Sequence, residues 1–204
     1  MNDRETWVLA SHNAGKIKEL RAILAPRGID LKSAADLSLP EPEETETSFE
    51  GNAALKARAA CEATGLVCLA DDSGLEVDAL QGAPGIYSAR YAGENATDQD
   101  NLEKLLVALA DTPDPERNAR FQCVMVYLRH WQDPVPRICQ GTWEGRIARA
   151  PRGDNGFGYD PVFWVPERDC TAAELTPEVK NRLSHRGQAL QQLLAVFTAA
   201  QAGA

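Results

Sequence analysis

Two adjacent carboxylates directly follow an apolar run in the stretch VCLADDSGLEVDAL, residues 67–80. Residues 67–70 have the composition of a short buried strand, and we predict that a loop begins at Asp71. Burying a charged carboxylate is costly unless a cation, hydrogen bonds or solvent compensate for it. A metal site provides such compensation and a solvated turn avoids the cost, so both interpretations of the pair stay open. Residues 75–79 alternate between apolar and acidic side chains, which predicts a second strand with one wet face.

Helical and strand patterns alternate in the first half of the chain, whereas strand patterns cluster in its middle. Strand patterns occupy residues 6–10, 67–70, 75–79, 121–128, 137–147 and 162–165. Apolar residues lie at helical spacing over residues 17–24, and cap signals predict helices that begin after Thr47, after Thr97 or Asp98, after Thr176 and after Ser184. The acidic residues 36–47 and the glycine-rich residues 153–161 predict loops. The mixture predicts an α/β fold with a mixed β-sheet flanked by helices.

Composition and charge limit the classes of protein to which the chain can belong. The chain has 204 residues, of which 44 % are hydrophobic and 25 % are charged, as in an ordinary globular protein. This length allows a single domain over residues 1–204, with or without two lobes. The net charge of -9 argues against a nucleic-acid-binding surface, and no apolar run has the length of a membrane span. A polyanionic substrate would therefore need local positive charge or a metal ion.

The cysteines and the first residues predict the compartment. Five cysteines occur at positions 61, 68, 123, 139 and 170, without a Cys-x-x-Cys spacing and mostly among apolar neighbours. We expect buried thiols in a reducing compartment rather than disulfides or a zinc site. Residues 1–5 show no basic region followed by an apolar one, so we expect no signal peptide and a cytoplasmic location.

A candidate phosphate-binding segment follows the first predicted strand. Ser11, Asn13 and Lys16 lie where that strand meets the start of a helix. The free N–H groups and the dipole of a helix N-terminus favour an anion, and a lysine one turn into the helix adds a full positive charge. A simple helix cap next to a solvated lysine explains the same residues equally well. The spacing is not that of the P-loop.

Acidic residues on two segments form a candidate metal site, and a lysine on a third segment is a further candidate site residue. Glu43 and Glu44 lie in the acidic loop, and Asp71 and Asp72 form the pair described above. Oxygen ligands from two separate segments, completed by water and substrate phosphate, suit Mg²⁺. Lys56 lies on an alanine-rich helix that can approach another backbone closely. The alternatives are an acidic loop that serves only solubility and an exposed surface lysine.

Two late segments combine an aromatic ring with hydrogen-bond donors. The glycine-rich loop carries Phe157, Tyr159 and Asp160, and Lys180 and the sequence 184–186 follow. An aromatic ring can stack on a base, and histidine and arginine can donate to exocyclic oxygens. A hairpin turn and a helix cap with ordinary surface charges are the alternatives.

Together these segments resemble the inosine triphosphate pyrophosphatase family, and within it the bacterial dITP/XTP pyrophosphatases. The matching segments are LASHNAGK at 9–16, FEGNAALKA at 49–57, residues 70–91, FGYDP at 157–161 and SHRG at 184–187. His12 stands where the family often has glycine. The resemblance implies an elongated mixed sheet in two lobes with a nucleotide cleft between them, dependence on Mg²⁺ and a homodimer.

The resemblance also implies roles for individual residues. Asp72 is the expected proton acceptor, and Glu44 and Asp72 are the expected metal ligands, with Glu43 and Asp71 as second candidates. The expected triphosphate contacts are Ser11, His12, Asn13, Ala14, Gly15, Lys16 and Lys56, and Ser73 is a further substrate contact. The expected contacts to the base are Phe157, Gly158, Tyr159, Asp160, Lys180, His185 and Arg186.

These roles predict an enzyme that hydrolyses dITP, ITP and XTP or dXTP to monophosphate and pyrophosphate and so keeps them out of DNA and RNA. Donors from Arg186 or His185 would pair with the 6-oxo group of these purines and would lack a partner against the 6-amino group of adenine. Two alternatives stay open. One is a pyrophosphatase of the septum-associated Maf type, whose family begins with a similar segment. The other is a nucleotide-binding regulator without turnover, which would not need a carboxylate base.

Overall fold

A computed structural model describes residues 5–202, and for residues 198–202 it describes the backbone alone. Residues 1–4 belong to the segment on which the prediction of no signal peptide depends, and they lie outside the described residues. The elements are β1 (Glu5–Leu9), α1 (Ala14–Leu24), β2 (Ile29–Ser33), α2 (Phe49–Thr64), β3 (Val67–Val77), α3 (Asp98–Ala108), β4 (Asn118–Leu128), β5 (Arg137–Ile147), β6 (Phe163–Val165), β7 (Cys170–Thr171), α4 (Pro177–Leu183) and α5 (His185–Ala202).

The strands form a mixed seven-stranded sheet in the order β2-β1-β3-β4-β5-β6-β7. The β1 strand pairs in parallel with β2 and β3, whereas β6 pairs antiparallel with β5 and β7. The predicted α/β fold with a mixed sheet is therefore confirmed. The sequence analysis missed β2 and β7, which are five and two residues long.

The predicted loop at the carboxylate pair is wrong. β3 is one continuous strand of eleven residues that contains both aspartates and most of the second strand predicted over residues 75–79. A short 3-10 helix, Asp78–Leu80, follows it. The strand continues through Asp71 and Asp72 because each carboxylate is paired with a lysine ammonium, which compensates for its burial.

The chain divides into two compact units. Unit 1 comprises residues 1–72, 124–140 and 189–204, and unit 2 comprises residues 73–123 and 141–188. The core of unit 1 packs the alanine-rich face of α2 against β1, β3 and β4. The core of unit 2 packs α3 against β3, β4, β5 and β6. The single domain with two lobes and a cleft stays a prediction.

Helix caps determine where the helices that carry candidate site residues begin. Ser48, rather than the predicted Thr47, caps α2, and its hydroxyl accepts a hydrogen bond from the Gly51 N–H. Thr97 caps α3 in a reciprocal capping box with Asp100. These side chains satisfy N–H groups that have no partner inside the helix.

All five cysteines are free thiols, four of them buried, as predicted. No disulfide joins them in the described part of the chain. Across residues 5–202, no helix combines the length and the apolar character needed to cross a membrane.

Candidate active site

The N-terminus of α1 has the capped helix start that the sequence predicts for this segment. Asn13 caps the helix, and its side-chain oxygen accepts a hydrogen bond from the Lys16 N–H. The Ser11 hydroxyl accepts from the Asn13 N–H, while the exposed Ala14 and the half-buried Gly15 begin the helix. The caps are compatible with the predicted phosphate site, because capping satisfies only part of the free N–H groups at this helix end.

The His12 ring ties this loop to another segment of unit 1. Its Nε2 lies 2.9 Å from the Leu39 carbonyl oxygen, while the residue itself is exposed. Leu39 precedes the glutamates of the 36–47 loop. The contact therefore links the phosphate-binding segment to the segment that carries Glu44.

Two lysines meet the two aspartates of β3. Lys16 Nζ lies 3.2 Å from Asp71 Oδ2, and Lys56 Nζ lies 2.7 Å from Asp72 Oδ1. Asp71 is 1 % exposed and Asp72 is 6 % exposed. The alternative of an exposed surface Lys56 is wrong, because the small alanines of α2 allow its side chain to lie in the interior, where it is 7 % exposed. Unit 1 therefore contains two buried ion pairs on adjacent residues.

Lys56 also joins Asp72 to the acidic loop. Its Nζ lies 3.0 Å from Glu44 Oε1, so one ammonium group contacts two carboxylates. Asn52, one turn earlier on the same face of α2, donates to Asp72 Oδ2 at 3.4 Å and accepts from the Glu46 N–H at 3.1 Å. Helix α2 thus connects the 36–47 loop to β3 through two buried side chains.

Burial has the largest effect on the pKa of Asp72. It raises the pKa of Asp72, and the Lys56 and Lys16 ammonium groups oppose this rise without cancelling it. Burial lowers the pKa of Lys56, yet the carboxylates of Asp72 and Glu44 outweigh it and place the pKa of Lys56 above its ordinary value. The pair is therefore a charged lysine beside a carboxylate that is more basic than a solvated one.

Two of the four predicted metal ligands, Glu44 and Asp72, have carboxylate oxygens close together. The Lys56 contacts show that Glu44 and Asp72 oxygens converge on one cationic group, whereas Glu43 is exposed. Among residues 5–202, no three His, Cys, Asp or Glu side chains form a group that could hold a metal ion. Because Mg²⁺ is typically held by one or two carboxylates together with substrate phosphates, this donor set fits the ion.

The predicted base-binding residues lie in unit 2 and gather around Phe157. Lys180 Nζ lies 4.9 Å from the centre of the Phe157 ring, and Arg186 Cζ lies 5.6 Å from it. Lys180 also pairs with Asp160, whose carboxylate accepts a hydrogen bond from the Phe157 N–H. The glycine-rich loop and α4 are thus held together by a buried ion pair.

The first two residues of α5 are two more predicted site residues in this group. An Arg186 Nη atom donates to the Ser73 hydroxyl at 2.8 Å. The His185 ring stacks on Phe121, with ring centres 4.7 Å apart and planes 13° from parallel. Both side chains are buried, so each is held in a defined orientation.

Tyr159 and Gly158 anchor the glycine-rich loop. The Tyr159 hydroxyl donates to the Ser88 carbonyl at 2.8 Å, and the side chain is part of the core of unit 2. The Gly158 N–H donates to the carboxylate of Asp98, the first residue of α3. Asp98 was not among the predicted site residues, because an acid in the first turn of a helix gives no signal for a contact with Gly158, sixty residues away.

Comparisons with known proteins point to one family. Residues 7–196 match the model of the Ham1 family. A protein of Vibrio cholerae named dITP/XTP pyrophosphatase is 58 % identical over 186 residues, which are 91 % of this chain and 93 % of that protein. A Shigella flexneri protein of the same name is 59 % identical over 92 % of this chain and 95 % of its own length. The solved structure of a HAM1 protein from Coxiella burnetii is 51 % identical, covers 96 % of this chain and 99 % of its own, and superimposes with a TM-score of 0.86.

Proposed function

Because the chain belongs to the Ham1 family, we propose that it is a nucleoside triphosphate pyrophosphatase that hydrolyses dITP, ITP and XTP or dXTP to monophosphate and pyrophosphate. By this reaction the enzyme removes non-canonical purine nucleotides before they enter DNA or RNA. The observation that carries the proposal is the contact of Lys56 with both Asp72 and Glu44, beside the Lys16–Asp71 pair. Lysines from two helices, α1 and α2, thus contact two buried acids on neighbouring positions of β3.

The triphosphate has its binding groups in unit 1. The N-terminus of α1 and the side chains of Ser11 and Asn13 offer hydrogen bonds to phosphate oxygens. Lys16 and Lys56 neutralise the charge that develops on pyrophosphate as it leaves. Lysine is suited to this task because its ammonium group binds phosphate as a compact point charge.

Asp72 is the proton acceptor in this proposal. It takes the proton of the water that attacks the α-phosphorus, while the bond between that phosphorus and the α–β bridging oxygen breaks. Burial raises the pKa of Asp72, which makes the carboxylate a better base than one in water. Asn52 and Lys56 hold its two oxygens and so orient it.

Glu44 and Asp72 would hold the Mg²⁺ ion, which when bound neutralises phosphate charge as a Lewis acid. Asp71, which is paired with Lys16, and the exposed Glu43 are second candidates. We expect chelation of divalent cations to abolish turnover and added Mg²⁺ to restore it. Turnover that persists in excess chelator would contradict this assignment.

Selectivity for the base resides in unit 2 in this proposal. Arg186 is charged and buried and donates to the Ser73 hydroxyl, and its guanidinium group carries N–H donors of the kind that a 6-oxo group accepts from. His185 is fixed by its stack on Phe121, and Phe157 offers a ring face. A 6-amino group would leave such donors without an acceptor, which disfavours adenine nucleotides.

A nucleotide panel tests the function. Purified protein is incubated with Mg²⁺ and dITP, ITP, XTP, ATP or GTP, and pyrophosphate and orthophosphate are measured separately. We expect pyrophosphate from the first three and little from ATP or GTP. Orthophosphate as the only product would mean attack at the γ-phosphate, and binding without any product would favour the nucleotide-binding regulator.

The assembly and location of the protein are proposals of the same kind. The family resemblance supports a homodimer, and the free thiols support the cytoplasm. Sedimentation equilibrium tests the first, because a homodimer has twice the 22.2 kDa mass of the chain.

A further inference from the structure

Unit 2 contains a pocket of about 360 Å³ that includes none of the residues assigned above to the nucleotide. Its charged and aromatic lining consists of Arg117, Arg146, Arg149, Arg152, Asp114 and Trp164, which we call the arginine pocket. Four arginines face one aspartate in a chain whose net charge is -9. The pocket is therefore a local concentration of positive charge on an acidic protein.

Two of the arginines are fixed in the wall of the pocket. Arg117 is buried, and its guanidinium donates to three backbone carbonyl oxygens at 2.6–3.1 Å. Arg149 donates to Asp114 at 2.7 Å and to two further carbonyl oxygens. Each guanidinium has five N–H groups, so donors remain on both after these contacts.

The other two arginines flank the ring of Trp164. Arg146 on β5 is the cross-strand partner of Trp164 on β6, and Arg152 Cζ lies 5.6 Å from the centre of the Trp164 ring. Both arginines are exposed, and within residues 5–202 neither guanidinium has a hydrogen bond or an ion pair. Two exposed guanidinium groups with free donors thus line the pocket.

The charges in the pocket are only partly compensated. Burial lowers the pKa of Arg117, and the nearby cation of Arg149 lowers it further, against the opposing effect of Asp114. A bound anion would relieve this repulsion and would accept from the free donors. Guanidinium groups bind both carboxylate and phosphate in paired hydrogen bonds, but a phosphate group carries more negative charge and more acceptor oxygens, which suits several arginines at once.

We propose that the arginine pocket is a second anion site that binds a compact polyphosphate, either inorganic or the phosphate chain of a nucleotide. Several converging guanidinium groups suit a ligand that carries several charges on neighbouring phosphates. A long nucleic acid is disfavoured, because it would extend beyond the pocket over a surface of net negative charge.

Nuclear magnetic resonance tests the proposal with inorganic triphosphate as the probe, in the presence of a chelator so that no turnover occurs. The signal of the Trp164 indole N–H, assigned with the variant Trp164→Phe, is followed during the titration. We expect a saturable shift of this signal and of the Arg152 Nε–H signal. The indole signals of the other three tryptophans are internal references, since none of them lines the pocket.

The variant Arg146→Gln/Arg152→Gln removes the two free guanidinium groups and leaves every assigned nucleotide contact intact. We expect triphosphate to bind to the pocket at least about tenfold more weakly, because two charge-assisted contacts are lost. The control Arg27→Gln/Arg137→Gln changes the net charge equally at exposed positions of unit 1, and it should keep the shift.

Titration with ATP distinguishes the two sources of the phosphate chain. Tighter binding of ATP than of triphosphate assigns the pocket to a nucleotide, and the reverse assigns it to inorganic polyphosphate. The proposal is overturned if the shift does not saturate, if the double variant keeps it, if sulfate at equal ionic strength reproduces it, or if a single-stranded oligonucleotide binds more tightly than either probe.

Discussion

Replacing Lys56 by methionine should destabilise unit 1 and should do so in a pH-dependent way. Lys56 is buried and contacts Asp72 Oδ1 at 2.7 Å and Glu44 Oε1 at 3.0 Å. Methionine retains most of the length and apolar character of the stem but lacks the charge. The variant therefore leaves the Asp72 carboxylate buried without its nearest cation.

Removal of one partner from a buried ion pair typically costs about 3–5 kcal/mol. The lower end applies here, because Lys16 and Asn52 remain near Asp72 and because Glu44 is partly exposed. A loss of about 3 kcal/mol in a protein of this size lowers the melting temperature by roughly 6–12 °C. The same substitution should also lower kcat, since Lys56 is a proposed triphosphate contact.

The sign of the pH dependence follows from the pKa of Asp72. Burial raises the pKa of Asp72 in the folded protein above the ordinary 3.8, so the folded state binds this proton more tightly than the unfolded state. The stability contributed by that proton is complete below 3.8 and is lost as the pH rises through the folded value. Without Lys56 the folded pKa rises further, so the deficit of the variant should be small near pH 4 and should grow toward neutrality.

Thermal and urea unfolding between pH 4 and pH 8 measure this deficit. Lys32→Met is the matched control, because Lys32 forms an exposed ion pair with Asp30 in the same unit, and surface pairs contribute only about 0–1 kcal/mol. Equal stability of the wild type and Lys56→Met at neutral pH would refute the reasoning. A deficit that stays constant over this pH range would refute the part assigned to Asp72.

Three further predictions concern other parts of the molecule. Arg186→Gln should reduce the ratio of kcat/KM for ITP over ATP by about 10–100-fold, because a hydrogen bond from a charged donor is lost, and an unchanged ratio would contradict the role of Arg186. Gly187→Ala should lower the free energy of unfolding by about 1–3 kcal/mol, because its Cβ would lie 1.9 Å from the Asn181 carbonyl oxygen; urea unfolding without such a loss would exclude this clash. Burial, reinforced by the charge of Glu5, raises the pKa of Tyr127 to about 12, so its contribution to stability is present below pH 10 and lost as the pH rises through about 12. Tyr127→Phe should remove this alkaline loss, and an alkaline unfolding profile identical to that of the wild type would argue against it.

Much of the fold could be predicted, because a clear hydrophobic period and a clear cap residue indicate the type and the start of an element. The strand Arg137–Ile147 and the helix start at Thr176 follow from pattern and cap alone. β2 and β7 were missed because five or two residues carry little periodicity, although Ile29 and Leu31 alternate with polar neighbours in β2. Their place in the sheet depends on pairing with distant strands, which no local pattern encodes.

The error at Asp71 and Asp72 has the same origin. Local sequence patterns predict that a buried strand ends where two charged residues begin. In the structure the strand continues, because Lys16 and Lys56 from two helices pair with the two aspartates. The sequence could propose these lysines as site residues but could not show which acid each would contact. The resemblance already favours Glu44 over Glu43, but the contact between Glu44 and Lys56 depends on how α2 and the acidic loop fold together.

The hydrolysis of dITP by Asp72→Asn tests the account most directly. Asparagine has nearly the same shape as aspartate but cannot accept the proton of the attacking water, so kcat should fall by about 10²–10⁴-fold, the usual contribution of a general base. Melting temperatures should show that the variant is folded, and Asp30→Asn, which changes an exposed acid of the same unit, should keep wild-type turnover. Release of pyrophosphate by a folded Asp72→Asn protein at the wild-type rate would contradict the central claim.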